Sequence, residues 1–255
     1  FNSLYSPEYG YSVMKDMNEK AKVFNNALNS IETNFNPDLI LIACNTLSIV
    51  YPYTEHSKKT KTKVKGIVES GISLFNSSVN NSDSIILMGT PTTINSNIYK
   101  NELIAKGINQ NKIVNQPCFD LETFIQKNPN SAETKNEIAK FVKLAIESLD
   151  VNSAKTYIGF CCTHYGYSKH IFEEEFKKRF SGNIEILNPN NKMIDFLFED
   201  PHELFDRIYL KVRIVTRVKL RESEIESLSF ILKTDSPKTA IAIESYEFQE
   251  NLFER

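Results

Sequence analysis

The sequence predicts an α/β protein with mostly parallel sheets, followed by a C-terminal strand-and-helix extension. Short apolar runs alternate with amphipathic helical stretches from residue 13 to residue 198, the pattern of repeated βα units. Two of the runs end in cysteine. Leu39-Ile40-Leu41-Ile42-Ala43-Cys44 leads into Asn45-Thr46, and Tyr157-Ile158-Gly159-Phe160-Cys161-Cys162 leads into Thr163-His164. Two strands of like design, each delivering a thiol to a sheet edge where a helix begins, suggest two halves facing one site. The last 55 residues change character: Leu210, Val212, Ile214, Val218 and Leu220 alternate with Lys211, Arg213, Arg217 and Lys219, the period of a half-buried strand with one basic, wet face.

The elements follow in order. Ser6-Pro7-Glu8-Tyr9-Gly10 reads as a loop. Val13, Met14, Met17, Ala21, Phe24, Leu28 and Ile31 recur at three- and four-residue steps, as on an amphipathic helix that Asn36-Pro37-Asp38 stops. A strand over Leu39–Ala43, a helix from Thr46 to Tyr53, a lysine-rich loop, a strand over Val64–Val68 and a helix over Ser70–Phe75 come next. Ser84–Met88 is a strand running into Gly89-Thr90-Pro91-Thr92-Thr93, with Thr92 or Thr93 expected to cap the helix that reaches Lys106. Lys112–Val114 is a strand by position. Helices over 120–127 and 132–148 are split by Asn128-Pro129-Asn130. The second cysteine strand spans 155–161, then a charged helix 167–180, a strand Ile184–Leu187 and a helix 190–198. Glu224–Leu232 is helical, and Ser236-Pro237 opens another helix.

Composition narrows the function. The 255 residues suit one large domain or two lobes. A formal net charge of −2 argues for neither nucleic-acid nor membrane binding. No apolar run approaches the roughly 18–20 residues of a membrane span, and no signal-peptide pattern opens the sequence. Its first residue, Phe1, suits a sequence that starts part-way through a longer chain. Four cysteines (Cys44, Cys118, Cys161, Cys162) make neither a disulfide framework nor a zinc pattern. A cytoplasmic, reduced protein without a metal is the expectation.

A thiolate is both nucleophile and base. Cys162 near His164 would suit acyl transfer. Two cysteines on opposing strand ends suit a different chemistry, in which one removes a proton from one face of a carbon and the other returns a proton to the opposite face, inverting the centre. Asn45, Thr46 and Thr163 would hydrogen-bond a substrate's carboxylate and amine and steady the developing negative charge. Cys118 reads as structural; Cys161 is open to either reading, a neighbour of the chemistry expected to point away from it; and His56, His170 and His202 read as surface or helix residues.

Ala43-Cys44-Asn45-Thr46 and Cys162-Thr163-His164-Tyr165 resemble the two signature motifs of the aspartate/glutamate racemase superfamily, with the histidine bringing the match closer to glutamate racemases. Gly89-Thr90-Pro91-Thr92-Thr93-Ile94 with Ser96 and Tyr99 resembles the family's threonine loop, and Tyr9-Gly10 its early Pro-Tyr-Gly. The resemblance spans residues 5–198. It implies a cofactor-independent amino-acid racemase of two pseudosymmetric lobes with a cleft between them: 1–79 with 184–200, then 80–183, with 201–255 as an extension. Cys44 and Cys162 would be the proton-transfer bases. Tyr9, Gly10, Asn45, Thr46, Thr90, Thr93, Thr163 and His164 would bind a small amino-acid substrate. Glutamate comes first and aspartate second, with another superfamily isomerase or a binding homologue without turnover as alternatives. D-glutamate supply for peptidoglycan and a homodimer are further implications. The chain departs from the family at three points: no Asp-Ser-Gly strand precedes Tyr9, Cys161 stands for a usual Gly, and Gly166 for a usual Pro. Members often carry a glutamate in the neighbourhood where Asp120, Glu122 and Gln126 follow Cys118 here.

Overall fold

Apolar runs become strands here where a helix cap or a tight turn bounds them. The computed structural model describes residues 11, 14, 16–149, 155–198 and 209–254. Tyr9, Gly10 and His202 lie outside the described residues. In chain order the elements are α1 (Met17–Phe35), β1 (Leu39–Ile42), α2 (Asn45–Val50), α3 (His56–Lys59), β2 (Lys63–Gly66), α4 (Ile67–Ser78), β3 (Ser84–Gly89), α5 (Pro91–Asn95), α6 (Ile98–Ala105), β4 (Ile113–Pro117), α7 (Leu121–Lys127), α8 (Ala132–Glu147), β5 (Thr156–Cys161), α9 (Lys169–Arg179), β6 (Ile184–Leu187), β7 (Val215–Thr216), α10 (Glu222–Asp235), α11 (Pro237–Glu244) and β8 (Glu247–Phe248). Short 3-10 stretches occupy Thr163–Ser168 and Pro189–Phe198.

The chain forms two compact units, one drawn from 1–40, 50–63 and 200–255, the other from 41–49 and 64–199. Residues 64–79 and 184–198 pack within the second unit, although the resemblance groups them with the first lobe.

In the first unit, Asp16 caps α1 by accepting the Glu19 N–H at 2.8 Å. Asn36, in the left-handed region at φ 42°, ends it. Ala21, Phe24 and Leu28 are its buried stripe. His56 opens α3 and is buried, with Nε2 3.2 Å from Glu32, so it is not a surface residue. The strand expected over Leu210–Leu220 shrinks to β7, which pairs in parallel with β8. The cause is local. Thr216 Oγ1 accepts from Val218 N at 2.9 Å and donates to Val218 O at 2.6 Å, and this side-chain turn bends the chain where the ladder would continue.

The second unit is organised on a four-stranded sheet in the order β4-β3-β5-β6, every pairing parallel. β3 and β5 are central and buried at every residue, as parallel strands covered by helices on both faces must be. Ile86, Met88, Ile158 and Phe160 pack with Leu121 and Ile125 of α7, Ile138, Phe141 and Val142 of α8, and Phe172 and Phe176 of α9. Alternation along β3 sends Leu87 to the other face, where a β-carbon on Gly159 would lie 3.0 Å from both Leu87 and Phe75 of α4. The register sets Gly89 opposite Pro117 on one side and Cys161 on the other. Cys118, Thr90 and Cys162 therefore each follow the same terminal row, at the carboxyl edge where open α/β sheets bind ligands. β1 pairs with β2 in a separate two-stranded sheet.

Candidate active site

The site residues that fall in the described chain all belong to the second unit. Cys44 follows β1 by one residue, and its carbonyl accepts the Ser48 N–H at 2.9 Å, which starts α2. The N–H groups of Leu47 and Thr46 favour its thiolate. Cys44 keeps part of its surface exposed. Even so, desolvation of the thiol outweighs those donors and raises its pKa.

Thr90, not Thr92 or Thr93, caps α5: its Oγ1 accepts from Thr93 N at 3.4 Å, with Pro91 at the first helical position. The cap doubles as a cluster. Thr90 donates to Thr93 at 3.0 Å, and Thr46 lies 2.9 Å from Thr90 and 3.3 Å from Thr93. The three hydroxyls form a closed triangle. Beside it, Tyr99 of α6 donates its phenol proton to Asn45 Oδ1 at 2.5 Å.

The Cys162 end is built from titratable groups. The thiol is buried, and its pKa is pushed well above the ordinary value, first by desolvation and then by the carboxyl of Glu122 and the thiol of Cys44. His164 Nδ1 sits 3.8 Å from Cys162 Sγ, and its Nε2 lies 2.9 Å from Gln126 Oε1. The amide oxygen accepts, so the proton is on Nε2 and the Nδ1 lone pair faces the thiol. Partial exposure notwithstanding, desolvation lowers the His164 pKa to about 4, so the ring is neutral. Glu122, one turn before Gln126, is buried, and desolvation raises its pKa to about 7. It also raises the pKa of Cys44 and Cys118.

Asn45, Thr46, Thr90 and Thr93 are joined by hydrogen bonds; Cys162 and His164 form a second group; Cys44 is coupled to Cys162 electrostatically. Thr163 is half-buried, and its carbonyl accepts from Asn190 Nδ2 at 2.9 Å. Cys161 is fully buried and its Sγ faces Gly159 O. Cys118 is buried in the core cluster, with its pKa pushed to about 12 by desolvation. Gln126 and Asn190 join the site without a role assigned from sequence. The readable signal for Gln126 was the stripe Leu121-Glu122-Ile125-Gln126 on α7, two polar residues at i, i+4 inside an apolar face. All four are buried.

Asn45 Nδ2, Gln126 Nε2, Glu122 Oε2 and Asn190 Oδ1 are buried without a hydrogen-bond partner among the described residues. Orphaned groups of this kind each cost about 1–3 kcal/mol, and native folds keep few of them. Two are donors and two are acceptors, complementary to a ligand that carries both polarities. Among the described residues no group of His, Cys, Asp and Glu is arranged to hold a metal ion, and no described helix is long and apolar enough to cross a membrane.

Parallel α/β architecture with Cys-Asn-Thr and Cys-Thr-His at strand ends defines the fold class: this chain has the fold of the glutamate racemases. The glutamate racemase of Francisella tularensis, solved in complex with D-glutamate, superimposes with a TM-score of 0.68 over 88% of this chain and 80% of its own, at 19% identity. A glutamate racemase isoform of Bacillus anthracis gives 0.66 over 88% and 79%, at 17% identity. The Escherichia coli enzyme, in complex with L-glutamate and the activator UDP-MurNAc-Ala, gives 0.59 over 90% and 83%, at 15% identity. No family model matches the sequence, and no curated protein matches it.

Proposed function

We propose that this chain is an amino-acid racemase of the aspartate/glutamate racemase superfamily, interconverting L- and D-glutamate without a cofactor. The observation that carries the reading is that both cysteine motifs follow strand ends in one compact unit, with Asn45 and Thr46 of the first hydrogen-bonded to Tyr99 and to Thr90 and Thr93.

One cysteine enters as thiolate and the other as thiol. The thiolate takes the α-proton from one face, and the electron pair left on carbon is held as an enolate-like charge on the carboxylate. The opposite thiol then delivers its proton to the other face, so the two cysteines exchange protonation states at each turnover. Desolvation raises the pKa of both thiols; at Cys44 the Leu47 and Thr46 N–H groups oppose it, and at Cys162 the His164 N–H does. The Thr46–Thr90–Thr93 hydroxyls and the Asn45 amide hold the substrate's polar groups equally before and during proton transfer. Neutral His164 presents a lone pair to Cys162 and serves as its proton relay. Thr163, with Tyr9 and Gly10, completes substrate binding in this reading, and D-glutamate supply for peptidoglycan is the cellular role it implies.

Incubation with L-glutamate in deuterated water tests the proposal. Deuterium at the α-carbon together with D-glutamate is expected, and neither appearing with a folded sample rejects it. Running aspartate in parallel separates the two substrates.

A further inference from the structure

Asn45 is buried and its two amide ends are treated unequally. Oδ1 accepts the Tyr99 phenol at 2.5 Å, while Nδ2 has no partner among the described residues. The separation is that of an O–H···O bond and short for an N–H donor, so the contact fixes which end of the amide faces Tyr99. The Nδ2 donors then point the other way, where no acceptor among the described residues satisfies them.

Tyr99 is itself firmly held. It is 2% exposed, and its ring packs on Phe75 with centroids 5.2 Å apart. It also crosses α4 at Gly71, where a β-carbon would lie 2.8 Å from both the phenol oxygen and Cε1. Glycine inside a helix costs about 1 kcal/mol relative to alanine. The clearance that Tyr99 needs explains why it is there. Desolvation keeps the phenol protonated, and so a donor, far into the alkaline range.

We propose that Tyr99, passing over Gly71, is a positioning residue that locks the Asn45 amide with its Nδ2 donors turned toward the substrate carboxylate. This rests on the racemase reading for the identity of the ligand. It adds a residue that touches no substrate and acts through one that does.

The test measures D-glutamate binding by calorimetry to protein silenced by Cys44→Ser and Cys162→Ser, so that turnover plays no part. Tyr99→Phe is expected to weaken binding about tenfold. In an Asn45→Ala background the same change is expected to add nothing, because the amide it orients is gone. Gly71→Ala, which favours helix α4 but displaces the phenol, is expected to weaken binding in the same direction. In the active protein Tyr99→Phe then raises KM by a similar factor with kcat within about twofold. Equal binding by the Tyr99→Phe protein, or additive losses in the double variant, overturns this inference alone. No binding by the silenced protein that retains Tyr99 overturns the racemase reading and this inference with it.

Discussion

The two cysteine-tipped strands look alike in sequence and are built on different physics. Cys44 follows a four-residue strand of a two-stranded sheet, is part-exposed, and is followed in the chain by Asn45 and Thr46, which bond to Tyr99 and to the Thr90 and Thr93 hydroxyls. Cys162 follows the central β5, is buried, and has the His164 ring and the Glu122 carboxyl acting on it, the ring held in turn by its bond to Gln126. In the racemase reading proposed above, the first end holds and orients and the second moves protons.

Four experiments can break or sharpen that contrast. The largest effect is expected at the thiols themselves. Cys44→Ala or Cys162→Ala should each lower racemisation by more than about 10³-fold, measured by chiral chromatography. Near-normal activity in either variant would remove that cysteine from the chemistry. Next comes His164→Asn, expected to lower kcat about 10²-fold with KM little changed in steady-state assays. Thr93→Val at the opposite end should instead raise KM by up to about tenfold and leave kcat within about twofold. If these two variants exchanged signatures, the division between orienting and proton-moving ends would be wrong.

Glu122→Gln is expected to have the smallest effect on rate and the clearest on pH. The charged carboxylate raises the thiol pKa values, so its removal should move the acidic limb of the kcat/KM profile to lower pH. Stability carries an independent sign. The folded pKa of about 7 stands above the ordinary 4.5, so this group's contribution is full below about pH 4.5 and is lost as pH rises through 7. That loss amounts to about 3 kcal/mol. Urea denaturation should find Glu122→Gln more stable than the parent at pH 8 and little different at pH 4. His164 runs the other way: its folded pKa lies below the ordinary one, so its contribution is present above about pH 6.5 and is lost as pH falls toward 4. The two slopes oppose each other in the parent, and Glu122→Gln should expose the histidine's acid destabilisation.

Much of the fold was legible because it is written locally. β3 and β5 are continuous apolar runs, α1 is a periodic stripe between Asp16 and Asn36, and Pro237 marks the start of α11. The misplaced strand at Leu210–Leu220 shows the limit of period-2 patterning. A single threonine side chain bonding to Val218 redirects the backbone, and alternation cannot register that. At the site, the motif residues were legible as types in order. Their pairings were not: Tyr99, Glu122 and Gln126 stand in the sequence reading as residues without partners, and only the fold brings Tyr99 to Asn45, Gln126 to His164 and Asn190 to Thr163.

The hydroxyl triangle has a consequence of its own. Thr90 donates to Thr93; if Thr93 donates to Thr46 and Thr46 to Thr90, all three protons are used inside the ring. An arriving carboxylate needs one of those protons, and an arriving ammonium needs a lone pair. Either can be served by a hydroxyl turning about its C–O bond, on the picosecond-to-nanosecond scale of small side-chain motions, with no heavy atom displaced. The cluster is rigid in position and undecided in polarity. In the proposed racemisation it serves mirror-image ligands, whose groups arrive in exchanged places, without favouring either hand.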